Sequence, residues 1–318
     1  MPENKIYIGI DIGGTKTSVC AGDSKANIIG KKVFPTHKCF HTALKNIFNE
    51  TENLIAKFGK ETIQAVGISC GGPLDSEKGI IQSPPNLPGW DNVPITKMLE
   101  DKFSLPCFIE NDANACALAE WNYGAGFDKE KGMRCRNMVF FTFGTGLGAG
   151  LILDGKLYRG SSGMAGEAGH IRMTKDGPLG YGKSGSLEGW CSGGGISRAY
   201  FDLYGENISG GEVCIRAERG DKKALKVIDN SAIMLGRFLA ALIDFINPDR
   251  IVIGSIFSRS EKLFRSRIEG IISEECLPAS AAVCSIYPSA LGESLGDIAA
   301  LTVAVSGEQT APNCAVPP

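Results

Sequence analysis

The chain has 318 residues, 43% hydrophobic and 21% charged, and its 33 Lys and Arg against 35 Asp and Glu leave a net charge of −2. These proportions exclude a disordered or coiled-coil chain, and the balanced charge gives no electrostatic footprint for nucleic acid or an anionic membrane. Glycine is in excess at 41 residues, 17 of them between positions 144 and 195; without a G-X-Y period collagen is excluded, and the cluster points to backbone approaching a ligand.

In chain order, Ile6 to Ile12 reads as a strand that turns at Gly13-Gly14 into a second strand, Thr17 to Ala21, with Ile28 to Phe34 as a third. Leu44, Ile47, Phe48, Leu54, Ile55 and Phe58 fall on one helical stripe that Gly59 stops. Strands at Ile63 to Ser69 and Cys107 to Glu110 follow, then a helix from about Ala113 to Tyr123 with Asp112 at its start. The polar segment Asn122 to Asn137 reads as a boundary loop. After it the opening pattern recurs: strand Met138 to Phe143, a glycine turn at 144–148, and a returning strand, Ala149 to Leu153. Helix Ser231 to Ile246, strand Arg250 to Gly254, helix Glu261 to Ser273, strand Ala281 to Tyr287 and a helix from about Asp297 complete the chain, with Gln309 to Pro318 as a loose tail. A hairpin followed by alternating α and β therefore occurs twice, offset by about 130 residues, as in an internal duplication. Two α/β halves of this kind predict two domains with a cleft between them.

No stretch reaches the length of a membrane span, and nothing after Met1 resembles a signal peptide. The eleven cysteines include no CxxC pair, and most sit in apolar company, so a reduced, cytoplasmic protein is expected.

Each glycine turn, Asp11-Ile-Gly-Gly-Thr-Lys16 and Gly144-Thr-Gly-Leu-Gly148, can present clustered backbone N–H groups to an anion. Neither has the Walker A spacing. The second matches GxGxxA, but it continues into a strand, whereas a dinucleotide loop must open a helix. Either turn alone is more simply a tight hairpin; as a pair, one at the start of each half, they favour a clamped nucleotide.

Glu110-Asn111-Asp112-Ala-Asn114 lies where a strand gives way to a helix. Asp112 is there either an N-cap or a carboxylate placed to accept a substrate hydroxyl proton. Glu167, His170 and Glu188 fall in the glycine-dense stretch and, with Asn111, would suit a polyhydroxylated ligand that needs both donors and acceptors. Pro85 to Trp90 could add a polar group and an aromatic face.

The five motifs at 11–16, 85–90, 110–114, 144–148 and 166–170 occur in an order that resembles the ROK sugar kinases, members of the actin/hexokinase/Hsp70 ATPase superfamily, across Ile6 to about Ser306. The resemblance implies two duplicated actin-like (ribonuclease H-like) α/β domains with an interdomain cleft: residues 1–121 with about 298–318, and 122–297 with a helical insertion. It implies Asp112 as catalytic base and Gly72, Asn111, Glu167, His170 and Glu188 as sugar-binding positions. ATP phosphates fall to Gly13, Gly14, Thr15, Lys16, Gly144, Thr145 and Gly146, and adenosine to the motif ending at Gly254. Asp11 falls on the position that holds Mg²⁺ through water. The resemblance also implies a homodimer.

Two departures stand out. The family's zinc cluster CxCGxxGC is replaced by Leu179-Gly-Tyr181-Gly-Lys-Ser-Gly-Ser186, so no structural zinc is expected, a closed zinc site needing four ligands. Gly254-Ser-Ile-Phe-Ser replaces the glycine run of the adenosine motif. The activity implied is phosphorylation of a hexose by ATP, glucose first, then N-acetylmannosamine or N-acetylglucosamine, with fructose less favoured. The rival is a sugar-sensing repressor or a silent sugar-binding protein. A repressor of this family carries a helix-turn-helix ahead of the first phosphate loop, which here begins at Asp11, so no nucleic-acid partner is expected.

Overall fold

The computed structural model of the protein describes residues 5–128 and 130–310. The chain divides into two compact units, one made of residues through Ala119 together with those from Glu293 onward, the other of Glu120–Gly292. The returning segment starts at Glu293, ahead of the last helix, rather than at about 298.

In the first unit, β1 (Ile6–Ile12), β2 (Lys16–Asp23) and β3 (Ile28–Pro35) form an antiparallel meander. The strands β4 (Ile63–Cys70) and β5 (Cys107–Asn111) extend it in parallel from the β1 edge, giving the order β3-β2-β1-β4-β5. A near-continuous apolar run makes β1 and β4 buried along almost their whole length, as central strands covered on both faces must be. One cover is α1 (Phe40–Phe58), whose buried Ala43, Leu44, Ile47, Leu54 and Ile55 follow the expected stripe up to Gly59 at φ 89°. The helix α2 (Ile95–Phe103) follows, and α3 (Asp112–Tyr123) leaves the end of β5 directly. The other cover is the last helix, Leu295–Thr310, which packs on β1 and β4. It takes in Gln309 and Thr310, which the sequence reading gave to a tail; residues 311–318 of that tail lie outside the described residues.

In the second unit, β6 (Met138–Phe143), β7 (Leu147–Leu153) and β8 (Lys156–Tyr158) form the antiparallel part, and β9 (Arg250–Ile253) and β10 (Ser285–Pro288) the parallel part. The order β8-β7-β6-β9-β10 has the same pattern of neighbours and directions as the first sheet. Its helices are α4 (Leu187–Trp190), α5 (Gly193–Tyr204), α6 (Gly210–Glu218), α7 (Lys222–Ile246) and α8 (Ile256–Glu275); the helix Leu295–Thr310 of the first unit is α9. Edge-to-face pairs join sheet to helix, Phe141 to Phe238 at 5.8 Å and Phe143 to Phe264 at 5.6 Å.

Several elements differ from their sequence reading. The boundary loop holds a small hairpin, Phe127–Asp128 with Met133–Arg134. The helix expected from Ser231 begins nine residues earlier, because Asp221 caps the Lys223 and Ala224 amides and Ala224, Val227 and Ile228 continue the buried face. Residues 278–281 form a helical turn, so the last strand is shorter than expected.

Gly67 of β4 lies against the α9 backbone, where an added Cβ would collide with Ala300 O and Ala304 N. Gly67→Ala should therefore lower stability by about 1–3 kcal/mol, the usual cost of overpacking, read as a reduced midpoint in urea. An unchanged midpoint would mean that α9 can move away from the sheet.

Candidate active site

The first turn lies between β1 and β2. The Gly13 amide donates to Lys16 O at 3.0 Å, and Thr36 secures the turn from outside, its hydroxyl donating to Gly13 O and its amide to Thr15 O. Asn86, in the Pro85 to Trp90 segment, presses on Gly14, where a Cβ would lie 2.7 Å from Asn86 O. Trp90 itself is buried and packs edge-on to Phe40, so the expected aromatic face is part of the core.

Asp11 pairs with Ser18 on β2 and Ser69 on β4, and Gly296 of α9 leaves room for its carboxylate. Burial, then the like charges of Asp112 and Asp297, push Asp11 up to about 6, with the Ser69 hydroxyl and Lys16 pulling the other way. Asp297 is buried in the first turn of α9, accepting from Ser18 at 2.5 Å and from the Lys31 ammonium. Asp11, Lys16, Ser18, Lys31, Glu293, Gly296 and Asp297 line one small cavity.

At the end of β5 the helix cap is Asn111 rather than Asp112. Asn111 Oδ1 accepts from the Ala113 amide at 3.0 Å and the Asn114 amide at 3.4 Å, which leaves Asp112 as the first helical residue. Solvent reaches Asp112, yet the density of protein around it raises its pKa by desolvation, offset only in part by the Ala113 amide and its own. Gly71 and Gly72 border these side chains: a Cβ on Gly72 would stand 3.3 Å from Asn111 Nδ2, and one on Gly71 3.8 Å from Asp112 Oδ2.

In the second unit, the turn between β6 and β7 closes with the Gly144 amide donating to Gly146 O at 3.1 Å. Its other face is joined to the start of α5, where the Gly193 and Gly194 amides donate to Gly144 O and Thr145 O. The Gly195 amide is taken by Ser192 Oγ. Gly193, Gly194 and Gly195 thus open α5 with their amides committed to protein and not offered to an anion. Gly254 follows β9 with its amide on Phe141 O, and the next residue, Ser255, has φ 55° and faces Gly144.

Glu167 and His170 are exposed on a 3-10 turn laid against β7. Gly166 and Gly169 allow that approach, since side chains there would collide with Ala149 O and crowd Leu147 O. Glu188, in α4, joins the parts: its Oε2 accepts from the Leu147 amide at 3.1 Å and its Oε1 from the Tyr181 amide at 3.2 Å. The Tyr181 ring lies on His170, centroids 4.1 Å apart. The structure thus brings Gly144, Thr145, Gly146, Gly254, Glu167, His170 and Glu188 together in this unit, and Asp11, the 13–16 turn, Gly72, Asn111 and Asp112 in the other.

The positions of the family's zinc cluster do not fit the metal. Leu179 has no donor atom, and the buried Ser186 hydroxyl is spent, donating to Gly180 O and accepting from the Gly189 amide. Hydrogen bonds hold the loop instead: the Met173 and Thr174 amides donate to Gly185 O, Ser184 Oγ donates to Gly177 O, and Trp190 Nε1 donates to Thr174 Oγ1. Among the described residues no group of three or more His, Cys, Asp and Glu is poised for a metal, and none of the ten described cysteines forms a disulfide. Magnesium asks less of the protein, one or two carboxylates with water and phosphate completing the shell. The hard oxygens of Asp11, in a cavity that a side chain at position 296 would fill, suit it.

Sequence reasoning missed Tyr181 and the Ser18–Asp297–Lys31 group. A signal existed for the second: Asp297 is the one acidic residue at the head of an otherwise apolar helical stretch, and such a carboxylate is buried only with partners. No described helix is long and apolar enough to cross a membrane.

Two α/β units, each opening on a hairpin with a glycine turn, have the sugar-kinase fold related to actin, hexokinase and Hsp70. The chain belongs to the ROK family, which matches residues 7–306. A glucokinase of Halalkalibacterium halodurans is 31% identical over 313 residues, 92% of this chain and 92% of its own. A xylose repressor of Caldicellulosiruptor bescii is 28% identical over 289 residues, 84% of this chain and 70% of that protein. The solved structure of a ROK family glucokinase from Streptomyces griseus, in complex with glucose and AMPPNP, matches with a TM-score of 0.78 at 27% identity, over 95% of this chain and 100% of that one.

The raised Asp11 pKa has a consequence for stability. The folded protein holds this proton to about pH 6 whereas an unfolded chain releases it near 3.8, so the ionised group costs stability above about pH 6 and none below pH 4. Asp11→Asn should stabilise the protein at pH 7 by up to about 3 kcal/mol, at 1.36 kcal/mol per unit, and give no gain at pH 3.5. Urea titrations at both pH values check this; equal effects at the two would refute it.

Proposed function

We propose that this protein transfers the γ-phosphoryl group of ATP to a hydroxyl of a hexose, glucose to glucose 6-phosphate being the first choice. The observation that carries the reading is Asp112: a solvent-reached carboxylate on the first residue of α3, its pKa raised by the surrounding protein, with the capping work done by its neighbour Asn111. A carboxylate so placed is a better proton acceptor than one on an open surface, and its geometry is fixed by the Ala113 amide on Oδ1.

In this reading Asn111, Glu167, His170 and Glu188 bind sugar hydroxyls, Gly72 lets the sugar approach, and Asp112 orients the attacking hydroxyl and takes its proton. The amides of Gly14 and Thr15, those of Thr145 and Gly146, and the Lys16 ammonium would offset charge spreading over the transferred phosphoryl, while the Gly13 and Gly144 amides close the two turns that present them. Magnesium, when bound near Asp11, supplies further neutralisation of phosphate charge. Gly254 and Ser255 would border the adenosine. Glucokinases among the relatives support glucose; an N-acetylhexosamine is the alternative substrate. The similarity to a repressor, 28% identical over 84% of this chain, favours one further reading, sugar sensing without turnover.

A panel of hexoses and N-acetylhexosamines with ATP separates these readings. A kinase gives saturable, sugar-dependent ADP release, and sugar binding without release would overturn the proposal in favour of a sensor. With the best sugar, Asp112→Asn should lower kcat on the order of 10²- to 10⁴-fold, the usual worth of a general base, while calorimetry still detects sugar binding. Retention of wild-type turnover would remove Asp112 from the role.

A further inference from the structure

The loop at 179–185 turns back on itself between Leu179–Gly180 and Lys183–Ser184, two short paired strands joined by Tyr181 and Gly182. Both turn residues have positive φ, 51° and 67°. This is the geometry of a type I′ turn, which favours Asn-Gly or Gly-Gly because a bulky side chain is strained there. A tyrosine at such a position costs local backbone energy and persists when its surroundings hold it.

The surroundings are the proposed sugar-binding residues. The Tyr181 ring lies on the His170 imidazole at 4.1 Å between centroids and 31° between planes, close enough for face contact. The amide of the same residue donates to Glu188 Oε1, and Lys183, two residues on, donates through Nζ to His170 O at 2.7 Å. The other Glu188 oxygen holds the Leu147 amide beside the second glycine turn. His170 is otherwise an exposed side chain on a three-residue turn, with rotamer freedom to lose on binding a ligand. Zinc cannot fix it, because the aligned positions Leu179, Tyr181 and Ser186 do not make a zinc site.

We propose that Tyr181 is a positioning residue for sugar recognition: its ring sets the orientation of His170 and its amide that of Glu188, taking over without metal the support of this loop. The role rests on the sugar-kinase reading given above, and its structural half does not. Tyr181→Gly suits the backbone geometry, so it should fold at least as well as wild type while removing the ring. Tyr181→Phe keeps the ring and should behave as wild type.

The imidazole C–H resonances of His170, assigned by their absence in His170→Gln, provide a readout independent of activity. In Tyr181→Gly they should lose the ring-current displacement while those of His37 and His41 stay in place, and Tyr181→Phe should retain it. In kinetics, Tyr181→Gly should raise the sugar KM about tenfold, the scale of one weakened hydrogen bond, with the ATP KM unchanged and kcat reduced much less. Unmoved His170 resonances in Tyr181→Gly would overturn the stacking. A Tyr181→Phe sugar KM as high as that of Tyr181→Gly would overturn the positioning role in favour of a hydroxyl contact. Absence of any sugar-dependent turnover in the wild type would instead sink the kinase reading, and the resonances would still decide the stacking.

Discussion

Backbone meets backbone at the places on which this structure depends. The β6–β7 turn gives its Gly144 and Thr145 carbonyls to the first amides of α5, the Gly166 to His170 turn lies on the Ala149 and Leu147 carbonyls of β7, and α9 touches β4 at Gly67. None of these contacts has room for a β-carbon. Buried backbone groups must also be paired, at about 1–3 kcal/mol for each one left unmet, so close approach and hydrogen bonding are a single requirement. The glycine cluster between 144 and 195 is in large part its record: the residues stand where segments dock, and a few mark turns.

Electrostatics in the first unit pull against stability. Asp112 and Asp297 are near enough to Asp11 to raise its pKa, and the Ser69 hydroxyl and Lys16 offset only part of the rise. A protein selected for stability alone would not keep three carboxylates in one neighbourhood, and such groupings concentrate where carboxylates are put to use. Lys31 pairs with Asp297 and Ser18 donates to it, which holds the head of α9 to the sheet and ties the packing of the last helix to the charge balance around Asp11.

The sheets were legible because β1, β4 and β6 are short apolar runs bounded by glycine and polar residues, and the two glycine turns fell where the hairpins turn. The first two turns of α7 were missed because Lys222, Lys223 and Lys226 diluted an apolar stripe that tertiary packing completes. At the site, residue types were readable and their geometry was not. Asn111 and Asp112 are adjacent candidates for one cap, and only the hydrogen bonds decide between them. Trp90 read as an aromatic face for a ligand, whereas it is buried with its ring edge-on to Phe40. Tyr181 carried no signal beyond the loss of a cysteine, since a stack between residues eleven apart in a loop has no period.

The order of segments within the first unit bears on how the protein is made. Its sheet is begun by residue 6 and covered on one side by α9, whose residues are the last of the unit to be synthesised. At about 5–20 residues per second, β1 and β4 wait roughly a quarter of a minute to a minute for that cover. The intervening segment, Glu120–Gly292, contains its own sheet and helices and can fold as it emerges. During elongation the apolar side of β1 and β4 that α9 will cover stays open until the end of synthesis, and is therefore the surface of the nascent chain most exposed to misassociation.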